Sequence, residues 1–189
     1  TIILKVSTKE GTFQLITELF GEGNTILVNL QGTITLALSY RRMRDRNILR
    51  GETLQPPPPT GKNPFNADRN DLNELKNFNQ LETARALTRL LGIGGLYAEE
   101  LLQRANIEKT TPTTNLTQSQ LDSLYTQLNS VLSHLKEGRL DPAIIINETE
   151  EYIDATPISL KRYANNKRKP YKTFNDALDE YYTNTTQLS

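Results

Sequence analysis

The chain has 189 residues, no cysteine, one histidine and a formal net charge of zero; 36% of its residues are hydrophobic and 23% charged. This is enough for one medium domain or two small lobes with a core and a polar surface. It excludes disulfides, thiolate catalysis and cysteine zinc sites. The longest apolar run, Ala143 to Ile146, falls far short of the roughly 20 residues that a bilayer helix needs. No membrane association is expected, nothing at the start reads as a signal peptide, and the cytoplasm is the expected location.

The first forty residues read as β. Ile2, Leu4 and Val6 alternate with Ile3, Lys5 and Ser7 from the outset, so the chain reads as a piece of a longer protein. Lys9-Glu10-Gly11 fits a hairpin turn. Thr12–Phe20, Thr25–Leu30 and Thr33–Tyr40 supply three further strands, separated by Gly21-Glu22-Gly23-Asn24 and Gln31-Gly32. In the second strand Phe13, Leu15, Thr17 and Leu19 share one face, and Gln14, Ile16, Glu18 and Phe20 the other. The meander runs into an arginine-rich stretch with Arg41, Arg42, Arg44, Arg46 and Arg50. If this stretch stays extended, Arg42, Arg44 and Arg46 point the same way. Pro56 to Pro59 favours a stiff polyproline II spacer.

From Asp71 the pattern becomes helical. Leu72 and Leu75 open a short helix, Glu82–Leu91 a stronger one, and Leu96–Ala105 a third. Thr117 and Gln120 form a capping box for a helix carrying Leu121, Leu124, Leu128, Val131, Leu132 and Leu135, which ends near Gly138. The last fifty residues return to β: Ala143–Asn147 as a buried strand, Tyr152–Pro157 and Ile158–Tyr163 as extended chain, and Lys161–Lys172 as a basic loop or hairpin. Thr173 and Asp176 could cap a final helix. The expected fold class is therefore α+β: an antiparallel meander lobe, a helix-hairpin-helix lobe, then a returning β segment and a C-terminal helix. The expected boundaries are 1–70, 71–138 and 139–189.

Leu91-Gly92-Ile93-Gly94-Gly95-Leu96 has the form of a helix-hairpin-helix turn. Glycines there permit positive φ and let a phosphate approach the backbone, and free N–H groups at the next helix start attract anions. Such a contact holds nucleic-acid backbone without reading bases. An αα-hairpin needing glycine only for the turn is equally compatible, and Glu99 and Glu100 would repel a phosphate. The arginine stretch could contact phosphates while Tyr40 stacks on a base; a charged strand edge that blocks aggregation is the alternative. Lys161, Arg162, Lys167, Arg168 and Lys169 form a third basic candidate, against a solvated loop. His134 lies beside the apolar stripe of its helix and fits a packing role. No catalytic constellation, metal site or cofactor motif is read; Gly61-Lys62-Asn63 lacks the glycine-rich run of a P-loop.

Three segments then resemble the NFACT family, the ribosome quality-control or fibronectin-binding protein A-like group. They are Leu19-Phe20-Gly21-Glu22-Gly23-Asn24-Thr25-Ile26-Leu27, then Arg50-Gly51-Glu52 with Pro57-Pro58-Pro59 and Asn63-Pro64, and Thr173-Phe174-Asn175-Asp176-Ala177-Leu178-Asp179-Glu180-Tyr181-Tyr182. Their order around the hairpin helices matches the family over nearly the whole chain. The resemblance implies an N-terminal domain similar in part to formamidopyrimidine-DNA glycosylases, without their catalytic proline. It also implies a non-catalytic RNA-binding module whose partners are large-subunit ribosomal RNA and tRNA, in proteins several of which add untemplated tails to stalled nascent chains. An adhesion module that binds fibronectin is the alternative. The family's tRNA-reading Asp-Arg dipeptide lies before the strand that opens at Ile2; Asp45-Arg46 is not that motif. The chain alone is therefore expected to bind tRNA weakly or not at all.

Overall fold

The computed structural model describes residues 1–57 and 61–186. The chain divides into two compact units, Thr1–Pro59 and Thr60–Ser189. The polyproline expectation lies partly outside the described residues. The fold is α+β, with antiparallel sheets in both units.

The first unit is a four-stranded meander of β1 (Ile2–Thr8), β2 (Gly11–Glu18), β3 (Asn24–Asn29) and β4 (Ile34–Ala37), paired in chain order. The alternation of β2 resolves with Ile16 and Glu18 inward, and Ile16, Ile26, Val28, Ile34 and Ile48 make the core. Strand β4 stops earlier than its sequence pattern suggests. The side-chain amide of Asn24 donates to the Ser39 carbonyl at 2.8 Å and accepts from the Ser39 amide at 3.0 Å, so a side chain replaces the next step of the backbone ladder.

The arginine stretch is not one extended run. Strand β5 (Arg41–Arg42) pairs antiparallel with β6 (Asn47–Ile48), Arg41 opposite Ile48 and Arg42 opposite Asn47. The Met43 amide donates to the Arg46 carbonyl at 3.2 Å, and the chain reverses at Arg44 and Asp45. Arg46 lies two residues before buried Ile48, and its own side chain is buried, so it falls on the inward side with it. The expectation that Arg42, Arg44 and Arg46 line one face fails because a turn intervenes.

The second unit begins with Gly61 and Lys62, a 3-10 turn at Pro64–Asn66, and α1 (Arg69–Asn73), which a reciprocal Asp68/Asp71 capping box starts. A 3-10 turn at Glu74–Phe78 follows. Then come α2 (Thr83–Leu91), α3 (Gly95–Arg104) and α4 (Gln118–Lys136), the last opened by the Thr117/Gln120 box. Leu72, Leu87, Leu91, Leu102, Leu121 and Leu124 are almost completely buried in one core; each is worth about 1.5–3 kcal/mol of transfer energy. Ile158 and Leu160 join that core, and Lys161–Tyr163 is a 3-10 turn where extended chain was expected. The remaining strands are β7 (Ala143–Ile146), β8 (Tyr152–Thr156) and β9 (Lys167–Pro170), ordered β8-β7-β9. Part of the basic segment is thus an edge strand, a position that tolerates Pro170. Helix α5 (Phe174–Thr186) packs Ala177, Phe174 and Tyr181 near Ile144 and Ile146.

Candidate nucleic-acid interface

Helix α2 ends at Gly92 in the left-handed region (φ 59°, ψ 26°), and α3 starts from Gly94 with extended backbone (φ −68°, ψ 151°) and no side-chain cap. Ile93 turns between them onto the helical core. Only Gly92 is demanded by the backbone of the turn. A Cβ added at Gly94 or Gly95 would meet nothing within 4 Å. All three glycines are exposed. The N-terminal N–H groups of α3 therefore lie beside bare backbone, where an anion can approach without meeting a side chain.

Support comes from behind the turn. The Lys62 amide donates to the Leu90 carbonyl at 2.7 Å. A Cβ on Gly61 would lie 2.5 Å from the Gly92 nitrogen, 2.6 Å from the Arg89 carbonyl oxygen and 2.9 Å from that of Leu90. Gly61 is thus needed for close backbone contact, a role its sequence neighbours do not signal. Lys62 is held by Asp71 and by Glu74 at 2.6 Å, and hydrogen bonds to these two carboxylates, Asp71 first, push its pKa up to about 12.

The acids expected to repel phosphate are engaged. Glu99 pairs with Lys109 at 3.1 Å. Glu100 is 2% exposed, accepts from Arg104 at 2.6 Å and accepts the Lys161 amide at 2.8 Å. Lys161 and Arg162 sit in the turn that α3 holds in this way; Arg162 lies over the Tyr163 ring at 5.8 Å.

The other basic residues separate into two groups. Arg46 binds Glu18 in a two-pronged pair at 2.6 and 2.7 Å, with side chains 6% and 5% exposed. Arg41 bonds Ser39 Oγ at 3.0 Å and pairs with Glu22 at 3.1 Å. Lys167 pairs with Glu150 at 2.6 Å, Arg168 with Asp141 at 2.8 Å and Lys169 with Glu180 at 2.5 Å. Five of the basic candidates therefore have acidic partners within the chain, of which only the Arg46–Glu18 pair is buried, whereas Arg42, Arg44 and Arg50 are exposed with no acidic partner among the described residues. The buried pair escaped sequence reading, although a carboxylate in register with inward-facing Ile16 was a signal that a partner must exist.

Glu180 also accepts from Tyr152 at 2.6 Å and from Tyr171. The hydrogen bond from Lys169, then those from the two tyrosines, lower its pKa to about 2. His134 Nδ1 lies 2.7 Å from the Ser130 carbonyl oxygen within α4. Among the described residues no three His, Cys, Asp or Glu side chains gather as a metal site, and no helix is long and apolar enough to cross a membrane.

The family described as NFACT N-terminal and middle domains matches residues 1–188. An archaeal Rqc2 homolog, aRqcH of Methanocaldococcus jannaschii, is 33% identical over 186 residues, which are 96% of this chain and 27% of that protein. The chain thus spans about a quarter of that relative's length. Among solved structures, the fibrinogen binding protein from Staphylococcus aureus aligns with a TM-score of 0.69 at 21% identity, over 95% of this chain and 64% of that one. The N-terminal part of the fibronectin/fibrinogen-binding protein from Streptococcus suis aligns at 0.62 and 19%, over 96% and 62%. The chain belongs to the NFACT family.

Proposed function

We propose that this chain is the RNA-contacting N-terminal portion of a ribosome quality-control protein, working in the cytoplasm without catalysis of its own. The observation that carries the reading is its 33% identity with an Rqc2 homolog over 96% of this chain. Within the chain, the α2–α3 turn supplies the contact: Gly94 and Gly95 open the backbone to a phosphate that the N–H groups of α3 receive. Lys161 and Arg162 add positive charge. Ribosomal RNA of the large subunit and tRNA are the partners this implies, and nascent-chain tailing belongs to the whole protein. Backbone contact alone carries no sequence information, so the chain binds RNA without distinguishing one tRNA from another.

The two structural neighbours named for fibrinogen or fibronectin binding share the fold at identities of 21% and 19%, and an adhesion role has no further support. A pull-down with purified large ribosomal subunits in one arm and fibronectin in the other separates the two. Retention of subunits, lost as salt rises, is expected. Retention of fibronectin with no subunits would replace the reading with an adhesion module.

A further inference from the structure

A hairpin with two residues per strand is not held by its own ladder, yet β5–β6 has a defined place. Arg46 fixes it from inside: its guanidinium grips Glu18 with two hydrogen bonds and donates to the Gln55 carbonyl at 3.2 Å. A buried ion pair is costly to desolvate and gains from rigid two-pronged geometry, and with Ile48 in the core and Arg41 bonded to Ser39 it helps hold the hairpin in place. The exposed side of the hairpin lies away from this pair: Arg42 is opposite exposed Asn47, Arg44 is exposed at the reversal beside Asp45, and Tyr40, just before β5, is 46% exposed.

We propose that this outward side binds single-stranded RNA, with Arg42 and Arg44 receiving phosphates and the Tyr40 ring stacking on an unpaired base. Glu18 and Arg46 act as positioning residues. The site rests on the RNA-binding reading above and adds a second contact in the first unit, specific for strand state. An arginine fork matches phosphate oxygens, and an aromatic face beside it suits a base whose own face is free, which a duplex does not offer.

The test is fluorescence anisotropy with a labelled ten-nucleotide oligouridylate and with a duplex RNA of equal length, titrated at several salt concentrations. The single strand is expected to bind more tightly. R42A/R44A should reduce the slope of log K against log salt by about 1.4, two phosphate contacts' worth for a single strand. Y40A should weaken binding about 5- to 150-fold with the slope retained. E18Q is expected to weaken binding too. Because it can unfold the unit, E18L/R46M serves beside it, an apolar pair expected to keep the fold, as circular dichroism checks; several-fold weaker binding with Arg42 and Arg44 present is expected. Unchanged slope in R42A/R44A, equal binding of duplex, or full affinity in E18L/R46M overturns the site while the RNA-binding reading stands. Absence of binding to any RNA, by wild type or by variants, would defeat the underlying reading instead.

Discussion

Replacing Gly61 with alanine probes the backbone contact on which the α2–α3 turn depends. The new methyl group would meet three main-chain atoms at 2.5, 2.6 and 2.9 Å, all inside the 3.4 Å at which ordinary contact begins. None of the three belongs to a flexible side chain, so the segment must back away from α2, stretching the 2.7 Å bond from the Lys62 amide to Leu90. Overpacking of this kind costs about 1–3 kcal/mol and a lost backbone hydrogen bond about 1 kcal/mol, so G61A should destabilise the second unit by about 2–4 kcal/mol. Urea unfolding monitored in the second unit should show the midpoint fall, and hydrogen exchange should show the Lys62 amide losing protection. An unfolding free energy within about 0.5 kcal/mol of wild type, together with an unchanged Lys62 amide, would show that the close contact at Gly61 is not needed.

The glycines of the turn should behave differently. G94A/G95A meets open space and leaves α3 intact, so stability should stay within about 0.5 kcal/mol of wild type while RNA binding in a filter assay weakens; a variant that is both stable and fully binding would remove the phosphate contact from the turn. The salt slope should be insensitive to K167A/R168A/K169A, whose charges are already paired, and should fall in K161A/R162A; the reverse pattern would show that the internal pairs open for RNA. Glu180 titrates in the folded state near 2 rather than at its ordinary 4.5 because Lys169 first, then Tyr152 and Tyr171, bond its carboxylate. A depressed folded value contributes stability that is fully present above 4.5 and lost as pH falls through about 2. Circular dichroism of α5 should therefore decline on acidification over that window, and E180Q should flatten the decline; superimposable acid limbs would contradict the account.

Much of the architecture was legible because the periods were clean. The two-residue alternation of β1–β4 and the spacing of Leu121, Leu124, Leu128 and Val131 each admit one reading, and the Thr117/Gln120 box marked the start of α4. The arginine stretch misled because its turn, Arg44-Asp45, has neither glycine nor proline to announce it. Strand β9 reads in sequence as loop or hairpin alike for a related reason: Lys-Arg-Lys-Pro has no apolar alternation, and the strand pairs with the free edge of β7 while acids distant in sequence pair with its charges. Those same distant pairings divide the candidate basic residues into committed and free groups, which no local pattern contains. Gly61 is legible only once the Arg89 to Gly92 backbone is seen against it.

Sequence-independent, phosphate-directed binding of RNA is tested by the affinity of the 189-residue chain for large ribosomal subunits across salt, with tRNAs of several identities in parallel. Subunit binding at about 50 mM salt should decline along a straight line of negative slope toward 200 mM, and tRNA binding should be weak and the same for every identity. No subunit binding at low salt, or binding indifferent to salt, would show that the chain does not hold RNA through its phosphates.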